Sequence, residues 1–250
     1  MLFDLGITLQ GLKWFNKPLK AAEIGLLATQ QPGLGAVAGN VSAPTTLSAL
    51  LRSVDTTGTY TLNLNGRFYR VYVAVLPDDS KWVLVLNYLH KGHTSPELRV
   101  LGPNDQFPLF KSEELGQDGS RDPQTWGHLS PAFLKLLAPT ELRFYGRCDG
   151  TNTIHFRTTH GPGLAYATTG RGGFGGQFPF TPMMGHTASI PGSAPNWFGD
   201  QGDYALTTFP FWRSGEAHWG IRGLDQRWEV DSYFPYQQTW FNTYHSVWVR

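Results

Sequence analysis

The chain has 250 residues, enough to bury a full core in one domain with an arm to spare. Its 20 Lys and Arg nearly balance 19 Asp and Glu, and a formal net charge of +1 excludes a protein that grips nucleic acid by neutralising phosphates. With 29 Gly, 17 Pro and one cysteine, Cys148, it reads as a turn-rich β fold that no internal disulfide can staple.

The opening MLFDLGITLQGLKWFNKPLK has no basic start followed by an apolar run, so it does not read as a signal peptide. No segment reaches transmembrane length, which predicts no membrane insertion. Synthesis in a cytoplasm follows, with export as part of a larger particle left open.

Residues 1–55 read as an arm. DLGITLQGLKWF suits an extended strand, LKAAEIGLLATQ a short helix, and QPGLGAVAGNVSAP a linker. TTLSALLRSV suits a second short helix, with Thr45 or Thr46 as N-cap and Leu47, Leu50 and Leu51 as its stripe. So broken a segment predicts docking on sister chains or other proteins of an assembly.

From Thr56 the pattern turns β. TYTLNL and RFYRVYVAVL flank Asn65-Gly66, a strong hairpin signal, and Pro77-Asp78-Asp79-Ser80 turns the chain into KWVLVLNYLH. That last run is nearly all apolar, as in a strand buried on both faces, and makes the central pair of a mixed sheet. Residues 91–125 are loop-rich. Ser130 and Pro131 start a short helix through Leu137, and ELRFYGRCDG with NTIHFRTTH forms a hairpin around Asp149-Gly150. Residues 161–195 show no regular element, and GRGGFGG lacks the strand-to-helix setting of a phosphate loop. TYHSVWVR closes the chain as a strand.

The densest chemistry lies between Asn196 and Asp231. Trp197, Trp212, Trp219 and Trp228, with Phe198, Tyr204, Phe209 and Phe211, are interleaved with Asp200, Asp203, Glu216, His218, Arg222 and Asp225. Aromatic faces that cover C–H patches beside groups that take hydroxyls make a surface for a polar, ring-shaped ligand. The plainer reading makes the rings core and the charges turns.

Three islands resemble a fibrinogen-related domain: GTYTLNLNGRFYRVYV with KWVLVLNYLH, then WGHLSPAFLKLLAPTELRFY, then HWGIRGLDQRWEVD with the terminal HSVWVR. Together they span residues 56–250, and intelectin lectins share the opening. Ser80-Lys81 stands where the family has paired glycines before Trp82, the family's disulfide cysteines are absent, and its Asp-rich calcium loop is represented by GDQGD alone. The resemblance implies an α+β, β-rich fold: a mixed or antiparallel twisted sheet with few short helices and long ordered loops, fibrinogen C-terminal-like. It also implies a recognition domain over 56–250 and an arm over 1–55 for anchoring or oligomerisation.

On this reading Trp212, Glu216, His218, Trp219 and Arg222 contact the ligand, and Asp200 and Asp203 hold calcium, whose hard shell suits loop oxygens. His90, His93, His128, His155, His160 and His186 lack zinc-type spacing, and no nucleophile-elbow motif occurs, so the chain reads as non-enzymatic. The function expected is host-surface glycan or receptor binding by a homo-oligomeric virion protein, of the tail or fibre tip. A disulfide-free version without a signal peptide resembles the fibrinogen-like tips and decorations of tailed bacteriophages and prophage particles. Two alternatives stand: a structural decoration, collar or baseplate protein, and a polysaccharide depolymerase with paired carboxylates Glu216 and Glu229 or Asp203 and Asp225.

Overall fold

A computed structural model of the chain describes residues 42–90, 103–104, 127–148, 153–188, 199–213, 217–222, 227–230 and 242–250. All of them after Ser42 belong to one compact unit, Ala43–Arg250. The strand and first helix read between residues 1 and 41, and the Asp149-Gly150 turn, lie outside them.

Helix α1 (Leu47–Ser53) begins where Thr46 accepts the Ala49 N–H on its hydroxyl at 3.1 Å. Leu47, Leu50 and Val54 lie in the domain's own core. This segment was read as part of the arm. Its buried stripe shifts the boundary to Ala43, because a helix this short is held by packing and not by propensity.

Strands β1 (Gly58–Leu64) and β2 (Arg67–Val75) form the hairpin read from the sequence, with Asn65 and Gly66 at φ 53° and 83°. Two left-handed residues give the turn that matches strand twist, and this is what Asn-Gly supplies. β3 (Lys81–His90) follows the Pro77–Ser80 turn. Short β4 (Pro103–Asn104) and β5 (Gly127–Leu129) precede α2 (Pro131–Leu137), which Ser130 caps as expected by accepting from Phe133 N–H at 3.1 Å. β6 (Leu142–Cys148) and β7 (Thr153–Thr158) make the next hairpin.

The sequence reading of 161–195 as wholly irregular is corrected by α3 (Gly161–Thr169). Pro162 suits a first turn, and Gly170 closes the helix at φ 72° by donating its N–H to Tyr166. Two threonines in its last turn and glycines at both ends hid it. β8 (Thr181–Pro182), a 3-10 turn at Gly202–Tyr204, then β9 (Trp212–Arg213), β10 (Ala217–Arg222), β11 (Arg227–Val230) and β12 (Thr243–Val249) complete the described chain.

The main sheet runs β1-β2-β3-β12-β6-β7-β8, with β5 against β3 and β4 against β5. Every pairing in it is antiparallel except β4 with β5. The fold is α+β and β-rich. Its centre is the β3–β12–β6 triplet, not the β2–β3 hairpin. The terminal strand lies between two partners, which is why it is buried along its whole length.

Register fixes two chemically different faces, since residues directly opposite point the same way. On the first lie Leu62, Val71, Val83, Phe144, Phe156 and Val247, all buried. On the second lie Tyr72, Trp82, Arg143, His155, Tyr244 and Trp248, also buried.

Candidate functional site

The aromatic stretch divides into three parts. The first is the loop that leads into the 3-10 turn. It is latched to the end of α3: Gln201 and Gly202 donate their N–H groups to the Gly170 carbonyl at 2.9 Å, and Asp200 accepts from Gly172 N–H at 2.9 Å. A Cβ on Gly170 would come within 2.3 Å of the Gly202 carbonyl, so glycine permits this approach. Below the turn, buried His128 donates from Nε2 to the Asp203 carbonyl at 2.7 Å, and its Nδ1 faces the Tyr88 hydroxyl at 2.9 Å. Burial lowers the His128 pKa to about 4 and holds the ring neutral.

Asp200 and Asp203 are exposed here, the two predicted calcium ligands on one short loop. Calcium takes roughly six to eight oxygens. One Asp200 oxygen already serves a backbone N–H, so carbonyls and waters would supply most of the shell. Among the described residues no three His, Cys, Asp or Glu side chains are grouped to hold an ion.

The second part is core. Phe209, Phe211 and Trp219 are buried, and Trp219 is 0% exposed. Its indole N–H donates to the Leu206 carbonyl at 3.1 Å. Its ring meets Phe144 edge-on at 5.2 Å and His245 at 4.8 Å. A Cβ on Gly146 would lie 2.7 Å from that ring, so β6 carries glycine where the indole presses in. Trp219 was expected to contact ligand. Its burial corrects this: it anchors β10 to the main sheet, because an indole with its one donor satisfied is a large apolar body.

The third part is a small sheet of order β11-β10-β9. His218 stands opposite Trp212, and Arg222 opposite Arg227. Two predicted ligand residues, Trp212 and His218, therefore share one rung, and Arg222 ends the same strand. Glu216, Trp197, Phe198 and Asp225 lie outside the described residues.

The second face of the main sheet was missed as a site. The Arg143 guanidinium lies 5.4 Å from the Trp248 ring centroid and 5.9 Å from that of Trp82. Its Nε donates to His155 Nε2 at 3.1 Å, and His155 Nδ1 donates to the Met184 carbonyl at 2.7 Å. Burial lowers the pKa of Arg143 to about 10 and that of His155 to about 4, so Arg143 stays charged and His155 neutral at pH 7. Glu141 pairs with Arg250 at 2.5 Å and with Arg157 at 3.4 Å. Arg250 in turn covers Trp82, 4.6 Å from its centroid. The sequence signal was alternation: Arg143, Tyr145 and Arg147 in one strand, Tyr244, Ser246 and Trp248 in the other.

No protein-family model matches this chain, and no curated protein does. Among solved structures, it is similar to the fibrinogen-like globe domain of human ANGPTL6 at 9% identity and a TM-score of 0.38, over 85% of this chain and 98% of that one. The fold class stated above rests on the strands and helices themselves.

Proposed function

We propose that this chain is a non-enzymatic binding module for a surface glycan or similar polar receptor, gripped at the β9–β10 rung. The carrying observation is the register that sets His218 opposite Trp212. Residues opposite each other on a rung share a face of the sheet, and an indole and an imidazole on one face supply a flat apolar surface and a hydrogen-bonding edge, a pairing a sugar ring takes. Buried Trp219, the next residue of β10, fastens that strand to the main sheet. Arg222 and Glu216 extend the grip in this proposal, and calcium at Asp200 and Asp203 would brace the neighbouring loop.

Weak single-site affinity for sugars is raised when copies act together. The setting we propose is therefore a homo-oligomer on a virion tail or fibre, with the residues before Ala43 as the joining segment. A glycan array with and without chelator tests the reading. Trp212→Ala and His218→Ala should each reduce binding at least tenfold while the unfolding midpoint stays in place. Unchanged binding by both removes the site, and loss of signal with chelator alone assigns the metal.

A further inference from the structure

We propose that the second face of the main sheet holds a carboxylate-binding site built on Arg143 and Tyr244. Both side chains are more than nine-tenths buried. Arg143 Nη1 has no hydrogen-bond partner, and the Tyr244 hydroxyl has none of full hydrogen-bond geometry, with the Ser246 side chain beside it. Buried donors are nearly always paired, so two orphans on one face of two paired strands call for an explanation. Each lies within electrostatic reach of the other. Tyr145, on the same face, has its ring 5.8 Å from that of Tyr244 and 5.1 Å from that of His155, the acceptor of Arg143 Nε.

The charge balance points to an anion. Of the carboxylates near Arg143, Glu141 is taken by Arg250 and Arg157, and Asp78, within electrostatic reach, has one oxygen taken by Ser80. Arg143 has a neutral acceptor at Nε, two indoles on its flanks, and an Nη1 donor still to satisfy. The set offers a positive charge and two donors between apolar walls, which complements a planar carboxylate. The site is independent of the β9–β10 rung: Trp219 packs on Phe144, on the opposite face of β6 from Arg143. The carboxylate could be a free small acid or the acid group of a sugar, and the chemistry is shared.

Thermal unfolding of the full chain separates these sources. At constant ionic strength, sodium chloride is replaced stepwise by sodium acetate or sodium glucuronate, with glucose as a neutral control. A carboxylate at about one hundred times its dissociation constant should raise the midpoint by roughly 5–10 °C. Tyr244→Phe keeps the ring, removes the hydroxyl, and should weaken the acetate response about tenfold in concentration. Arg143→Lys keeps the charge but loses the fork, and should abolish the response. If that variant does not fold, Tyr244→Phe alone decides. A rise with acetate assigns a free small carboxylate, and a rise with glucuronate only assigns a sugar-borne acid. No rise with either salt, an equal rise with glucose, or an undiminished rise in Tyr244→Phe overturns the proposal.

Discussion

The two faces of the main sheet share their strands and little else. On the first, Phe144 meets Phe156, Phe174, Phe211 and Trp219 at centroid distances of 5.1 to 5.7 Å, mostly edge-on. That geometry lets ring edges meet ring faces, and no charge needs a partner. On the second, the equivalent rungs carry Arg143, His155 and Trp248, held by cation–π contacts and by one hydrogen bond between a cation and a neutral imidazole. The first face derives most of its strength from apolar burial, with neutral His128 as its titrating member. The second spends part of the same burial on desolvating polar groups, so it responds to pH and to ions.

The largest expected effect is on the first face. Trp219→Ala opens a cavity among three aromatic rings and removes the indole donor from the Leu206 carbonyl, and should destabilise the domain by about 3–5 kcal/mol in urea titration. Because the indole is sealed, binding would be lost only along with the fold. A variant that stays folded and loses ligand would place Trp219 back at the surface and break the contrast.

Acid should strike the second face next. The pKa of His155 is near 4 in the fold and near its ordinary 6.5 when unfolded. Its neutral form is thus favoured by folding. Stability is full above about pH 6.5 and falls as pH drops toward 4, where the folded protein binds the proton too. The loss is at most roughly 3 kcal/mol for this histidine, and His128 adds a similar fall on the first face. Urea midpoints between pH 7 and pH 4 should decline, and His155→Gln should remove about half of the slope. An unchanged slope would mean that His155 is not held neutral by Arg143 and its burial.

Much of this was legible in the residues. Asn65-Gly66, Ser130-Pro131 and the apolar run of β3 each carry their own local chemistry, and each formed what that chemistry dictates. α3 was not legible, because its glycines and threonines disfavour helix, and tertiary contact decides: Gly163 and Tyr166 are buried, and a Cβ on Gly163 would meet Phe174 at 2.7 Å. The site was half legible. The gathering of aromatics was visible, but whether an indole faces solvent or a neighbouring strand depends on register between distant segments. Gly146, the residue that makes room for Trp219, lies 73 positions before it (219 − 146). The Arg143 layer had the same obstacle: Trp82, Arg143 and Trp248 meet only because β12 returns between β3 and β6.

The smallest expected effect concerns what covers the first face. α2 presses Phe133, Leu134 and Leu137 into the core, and the Phe133 ring meets Tyr69 edge-on at 4.8 Å. The helix ends at Ala138, held at φ 48° while its N–H is shared between the Leu134 and Lys135 carbonyls. An alanine Cβ crowds the following carbonyl in that region, a cost of about 1–2 kcal/mol that glycine escapes. Glycine loses more freedom on folding, which offsets about 0.4–1 kcal/mol of the gain. Ala138→Gly should therefore stabilise the domain by roughly 0.5 kcal/mol in urea, with the acid slope unchanged, since no titrating group of the second face is touched. If the slope moved with it, the two faces would be coupled through α2 and the division drawn between them would fail.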